Sequence, residues 1–279
     1  MLWKKTLKEE EDVRLKDPLL RDKVRPRYYS GSSSKPATLL IHGYTGSPYD
    51  LLPIHEMSRQ MGRTTYSLLL PGHGGTTPRD QEKATPKDYR RAVVEAIHSL
   101  ALSHKEGVDV VGFSVGGVLA LDCAHESGVR SVTLINPFTT VPYHWYHVLP
   151  ARTWSGILSG ILDYVRRPNH EGSTACDIHD PEGQKEYEPS YQHICTEAYR
   201  QAQDYSTDVW NRIRGTRVPL AFFYCIGDKV SCPATMAAQS KRLCSKPGDL
   251  VIPLLHSGHV VAHDYDRHYL LNNIRHFWH

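Results

Sequence analysis

The chain has 279 residues, 40% of them hydrophobic and 23% charged, which sets aside disordered and fibrous classes and leaves material for one large or two small domains. Lysine plus arginine number 33 against 30 for aspartate plus glutamate, a surplus too small to imply nucleic acid or an anionic membrane as partner. The six cysteines form no C-x-x-C pair, so neither a disulfide framework nor a zinc ribbon is expected.

Met1 to Lys5 and the acidic run Glu9 to Asp12 leave no room for the apolar stretch of a secretory signal. No apolar run elsewhere approaches the ~18 residues of a transmembrane segment, so a cytoplasmic location is expected. Residues 1–30 are expected as an N-terminal arm, in which Leu7, Val13, Leu15, Leu19 and Leu20 allow a short amphipathic helix. From Ala37 onward, short apolar runs without polar alternation are each closed by glycine or proline and followed by a helix-length segment. The runs are Thr38 to Ile41, Thr65 to Leu70, Val108 to Val111, Ser131 to Ile135, Pro219 to Ile226 and Leu250 to Leu254. The helices between them are expected at Leu51 to Met61, Pro86 to Ser103, Val115 to Glu126, Pro233 to Leu243 and His263 to Phe277. This alternation predicts an α/β fold with a mostly parallel central sheet flanked by helices, whose site lies beyond the carboxyl ends of the strands.

One interval breaks the rhythm. Between Asn136 and Pro219 about eighty residues carry no clear strand, and so long an uninterrupted loop is improbable. Residues 137–217 are therefore expected as an inserted helical cap on a core domain of residues 31–136 and 218–279. Within the cap, Trp154, Ile157, Leu158, Ile161 and Leu162 have the spacing of one helical face.

The strand ending at Val111 runs into Gly112-Phe113-Ser114-Val115-Gly116-Gly117. In G-x-S-x-G the flanking glycines are required by the tightness of a strand-to-helix turn that holds the serine proud of the sheet. The string alone is weak evidence; strand, turn and apolar helix together mark Ser114 as a nucleophile. A serine needs a base, and the base needs a carboxylate to fix its tautomer. Asp228 directly follows one strand and His259 the last one, which places acid and base in the chain order Ser, Asp, His. The backbone N–H of Val115, at the helix start, is one expected oxyanion donor. The loop His42-Gly43-Tyr44-Thr45-Gly46 after the first parallel strand offers the second, best assigned to Tyr44.

These segments, with Pro71-Gly72-His73-Gly74 and Ser257-Gly258-His259-Val260, resemble α/β-hydrolases, in particular the bacterial carboxylesterase and monoacylglycerol lipase group. The resemblance covers roughly residues 37–136 and 218–277. It implies Ser114, Asp228 and His259 as the triad, Tyr44 and Val115 as oxyanion donors, and neither a metal nor an organic cofactor. It points to a small-molecule ester, short or medium acyl esters and monoglycerides first. Amide, thioester or lactone hydrolysis and acyl transfer use the same machinery, and a non-catalytic binding protein on the same scaffold is the rival class.

Plainer readings stand beside several of these residues. His42 and His73 are expected to brace glycine-rich loops rather than catalyse. His259 and His263 have zinc-like spacing without the HExxH pattern. Asp264 and Asp266 rival Asp228 but follow the histidine. Cys225 and Cys232 flank the acid and are expected as structural thiols. Phe138, Trp145 and Trp154, with Tyr143 and Tyr146, either line an acyl pocket or form the cap's own core.

Overall fold

The computed structural model describes residues 16–75, 78–140, 153, 157, 159, 160, 164–166, 177–187 and 193–279. Strands β1 (Arg27–Tyr29), β2 (Ala37–Ile41), β3 (Thr65–Leu68), β4 (Val108–Phe113), β5 (Val129–Ile135), β8 (Leu220–Cys225) and β9 (Leu250–Leu254) form one sheet in the order β1-β3-β2-β4-β5-β8-β9. All neighbours pair in parallel except β1, which runs antiparallel to β3. The central strands are buried on both faces, which is why they read as unbroken apolar runs.

Alternate residues divide between two cores, as the pleat requires. Leu39, Ile41, Val110, Val132, Leu134 and Phe222 pack under the helices of one face. Leu40, Val111, Phe113, Ile135, Ala221 and Phe223 pack on the other. The first face is covered by α3 (Pro86–Ser103), α4 (Val115–Asp122), α6 (Thr196–Arg212) and α7 (Pro233–Leu243); the second by α2 (Leu52–Gln60) and α8 (Arg267–Phe277). α3 begins at a capping box in which Thr85 and Asp88 satisfy each other's backbone N–H, with Pro86 in the first turn. α4 is buried along its whole length, as its apolar composition on every side demands.

Two regions differ from the sequence expectation. The arm of residues 1–30 contains α1 (Pro18–Val24) and β1, an edge strand of the main sheet that is too short and too exposed to show a period. The interval 137–217, expected as one helical cap, is divided. Val209 and Trp210 of α6, with Ile213 just beyond it, belong to the same apolar cluster as Val118 and Leu119 of α4, so α6 is a layer of the sheet domain. β6 (Tyr164–Arg166) and β7 (His193–Cys195) form a separate antiparallel pair, and α5 (Pro181–Glu186) lies between them. Most of the helix expected around Trp154 to Leu162 lies outside the described residues.

α6 is anchored to its neighbours by a buried carboxylate. Asp122 accepts from Tyr205 Oη at 2.5 Å, Arg212 Nη2 at 2.5 Å and Arg90 Nε at 3.2 Å. A buried carboxylate left without such donors would be strongly destabilising.

Candidate active site

At the carboxyl end of β4 the chain turns sharply into α4, and Ser114 at the corner has φ 54° and ψ −120°, a conformation costing about 1–3 kcal/mol in a residue other than glycine. The surroundings hold it there. Ser114 N donates to Ile135 O at 3.0 Å, and Ser114 O accepts from Gly117 N at 2.9 Å and Phe138 N at 3.0 Å. A Cβ on Gly112 would stand 2.1 Å from Gly116 O, and one on Gly116 would stand 2.2 Å from Ile41 O. The glycine spacing thus follows from steric exclusion.

Asp228 and His259 emerge after β8 and β9. His259 Nδ1 and Asp228 Oδ2 are 2.7 Å apart, and both side chains are buried. Asp228 Oδ1 accepts from Val230 N at 2.7 Å and Ser231 N at 2.8 Å, so the carboxylate is oriented by its own loop. With Nδ1–H donating to the carboxylate, Nε2 is left as the proton acceptor. The ring of Phe113 packs against His259 with centroids 4.8 Å apart. Asn136, at φ 41°, ties the strand ends together: its side chain donates to His259 O at 2.7 Å and accepts from Cys225 N at 2.7 Å.

Ser114 and His259 line one cavity of about 260 Å³, together with Tyr44, Val115, Phe113 and Phe138. The Val115 N–H belongs to the first turn of α4, where amide groups lack intrahelical acceptors and the helix dipole favours negative charge. The Tyr44 phenol donates to Gln81 Oε1 at 2.7 Å. Phe138 is buried at the cavity wall, its carbonyl accepting from Ser206 Oγ and Trp210 Nε1. Trp145 and Trp154, and with them Tyr143 and Tyr146, lie outside the described residues.

The loop carrying Tyr44 is braced by two neutral histidines. His42 Nε2 accepts from Leu70 N at 3.0 Å while Nδ1 meets Gly43 O at 2.7 Å. His73 Nε2 accepts from Thr45 N at 3.2 Å while Nδ1 meets Pro71 O at 3.1 Å. Burial lowers His73 to about 4 and holds His42 well below its ordinary value. Asp50 supports the same loop by accepting from Gly43 N at 3.1 Å and Tyr187 Oη at 2.7 Å.

The rival residues have other tasks. Asp264 Oδ2 accepts from Gly258 N at 2.8 Å and His179 N at 2.9 Å, and Asp266 Oδ2 accepts from His256 N at 2.8 Å and Ser257 N at 3.0 Å. His263 is stacked on Tyr49, its Nε2 lies 2.8 Å from Tyr49 O, and burial lowers it to about 4. It is committed to that carbonyl, and among the described residues no group of three or more His, Cys, Asp or Glu could hold a metal ion. Burial pushes the Cys225 thiol up, away from nucleophilic character.

Asp177 was not singled out by the sequence. It lines the cavity and contacts the loops of both Asp228 and His259 across long sequence separations. No local pattern announces such a residue.

A strained serine at a helix start, sharing a cavity with a carboxylate-oriented imidazole, is equipped for acyl transfer. Comparison with known proteins agrees with the fold. A family model described as "Alpha/beta hydrolase family" matches residues 38–269. The chain is 26% identical over 230 residues to a thermostable monoacylglycerol lipase of Bacillus sp. (strain H-257), covering 82% of this chain and 84% of that one. It is 24% identical over 191 residues to a carboxylesterase of Bacillus subtilis (strain 168), covering 68% and 71%. Among solved structures, one from the work on LipS and LipT, two metagenome-derived lipolytic enzymes, superposes with a TM-score of 0.77 at 20% identity, covering 92% of this chain and 97% of that one. A soluble variant of monoglyceride lipase from Saccharomyces cerevisiae, in complex with a substrate analog, gives 0.74 at 11% identity, with 91% and 90% covered.

Proposed function

The chain belongs to the α/β hydrolase family, and on that premise we propose that it cleaves carboxylic esters through an acyl-enzyme formed on Ser114. The observation that carries the proposal is the cavity lined both by Ser114, at the head of α4, and by an imidazole hydrogen-bonded to a buried carboxylate.

Ser114 Oγ attacks the acyl carbon while His259 Nε2 takes its proton. Asp228 holds the ring in the tautomer that permits this and stabilises the imidazolium that results. The carbonyl oxygen, now negative, is met by the N–H groups of Val115 and Tyr44; one such donor is worth about 10²–10³ in rate. His259 then returns the proton to the departing alcohol. A water, deprotonated by the same imidazole, attacks the acyl carbon, the bond to Ser114 Oγ breaks, and His259 returns the proton to Oγ as the acid leaves.

The wall formed by Phe113, Phe138, Ile194, Val230 and Val260 suits an uncharged acyl chain. The monoacylglycerol lipase and carboxylesterase relatives support short or medium acyl esters and monoglycerides as the substrate class. Phe138, Asp177, Tyr187 and Ile194, all from the stretch between β5 and α6, contribute to the cavity, which supports reading that stretch as a lid. Steady-state hydrolysis of p-nitrophenyl esters of graded acyl length, and of a monoacylglycerol, tests the proposal. Turnover of at least one linear ester is expected; a folded protein inert towards all of them overturns it.

A further inference from the structure

We propose that Asp177, a residue of the segment entering α5, is a positioning residue that sets the distance between the loop carrying the acid and the loop carrying the base; this rests on the hydrolase reading above. One oxygen does most of the work. Asp177 Oδ2 accepts from Lys229 N at 2.7 Å, directly after Asp228, and from His259 N at 3.0 Å. The backbone carbonyl of Asp177 accepts from Val260 N at 3.1 Å. The backbone N–H groups of Lys229, His259 and Val260 thus converge on a single buried residue.

The other carboxylates near the site do not join the acid loop to the base loop. Asp228 Oδ1 organises Val230 and Ser231, Asp264 holds Gly258, and Asp266 holds His256 and Ser257. Asp177 alone among these takes backbone donors from both the acid loop and the base loop. The 2.7 Å bond between His259 and Asp228 therefore has a second fixed point on the backbone side of each residue. The fit is close: a Cβ on Gly258 would stand 2.6 Å from Asp177 O, so the glycine before the base is what lets Asp177 reach it. The outer oxygen Oδ1 lies 3.6 Å from His179 Nε2, a ring whose Nδ1 is 3.0 Å from His256 O. That contact steadies the carboxylate without taking its inner oxygen.

If Asp177 acts by accepting backbone N–H bonds, its charge is secondary. Asparagine presents the same oxygen, whereas leucine fills the space and accepts nothing. Misplacement of a catalytic group by about 1 Å can cost 10²-fold in rate. On p-nitrophenyl butyrate, Asp177→Leu is expected to lower kcat by about 10²-fold with KM within about twofold, because the cavity wall remains while the base moves. Asp177→Asn is expected to keep kcat within about threefold, since its acceptor is retained. Should Asp177→Leu lose its cooperative thermal transition, Asp177→Ser, smaller and short of both donors, is measured in its place with the same expected kcat loss.

Wild-type kcat in the leucine or serine variant overturns the inference, as does an asparagine variant as impaired as leucine, or a loss confined to KM. Wild type and Ser114→Ala are run alongside. If wild type hydrolyses the ester and Ser114→Ala does not while the Asp177 variants are unaffected, only this inference fails. If wild type and Ser114→Ala are equally inert, the hydrolase reading fails.

Discussion

β4 is the middle strand of the sheet, and its two ends treat buried polar groups in opposite ways. Near the amino end, Asp109 is fully buried and saturated. Arg63 Nη2 donates to it, Arg130 reaches both its oxygens at 2.9 and 2.8 Å, and Ser131 Oγ donates as well. Arg63 also lies over the ring of Trp278, and Arg130 donates to Trp278 O, so the same knot fastens the C-terminus. At the carboxyl end, the backbone of Ser114 is strained and its hydroxyl faces a cavity. One end uses charge pairing to close the structure; at the other, steric exclusion around the glycines holds a serine in a tight turn beside the cavity. Buried polarity alone therefore does not mark a site. What distinguishes the proposed catalytic end is strain together with an adjoining cavity.

Substitutions at the two ends should separate activity from stability. Ser114→Ala is expected to lower kcat for a p-nitrophenyl ester by about 10⁴-fold or more, with the thermal midpoint nearly unchanged. Comparable loss of both would erase the contrast. Asp109→Ala should do the reverse: removing one partner of a buried ion cluster costs about 3–5 kcal/mol, read by urea unfolding, while kcat of the folded fraction stays near wild type. A kcat loss exceeding the folded-fraction loss would show that the closed end also serves catalysis.

Gly116→Ala tests the steric half of the comparison. A Cβ 2.2 Å from Ile41 O forces β2 and α4 apart, at an expected cost of about 3 kcal/mol, with activity lost alongside. A tolerated alanine would mean that the glycines do not set the turn. The smallest effect concerns pH. Unfolded histidines bind a proton as pH falls through 6.5, whereas folded His73 and His263 stay neutral to about 4. The stability they add is complete above pH 6.5 and is lost as pH falls between 6.5 and 4. Each contributes at most about 1.4 kcal/mol per pH unit. His73→Gln should flatten the dependence of the unfolding free energy between about pH 6.5 and 5 by up to one proton; an unchanged slope would remove His73 from the account.

The legible and illegible parts of the molecule divide by range of interaction. β2, β4, β5 and β8 are doubly buried, so their composition announces them, and α3 and α7 carry capping or proline signals at their starts. Ser114 stands out because it directly follows β4, and Asp228 and His259 because they lie in the short loops after β8 and β9. β1 escaped because three half-exposed residues on an edge show no period. The interval holding α6 reads as cap because it carries no clear strand, and the first turns of α6 bury only small or polar residues, Ala198, Ala202 and Ser206, before Val209 and Trp210 reach the sheet-side cluster. Asp177 and Asn136 act by hydrogen-bonding distant backbone, and nothing in their neighbours along the chain encodes that.

The central claim is that Ser114 forms the covalent acyl intermediate. Its most direct measurement is reaction of the intact protein with a fluorophosphonate probe, followed by peptide mapping by mass spectrometry. One adduct is expected, on Ser114, absent in Ser114→Ala and slowed severely in His259→Ala. An adduct on another residue, or labelling that survives Ser114→Ala, would contradict it.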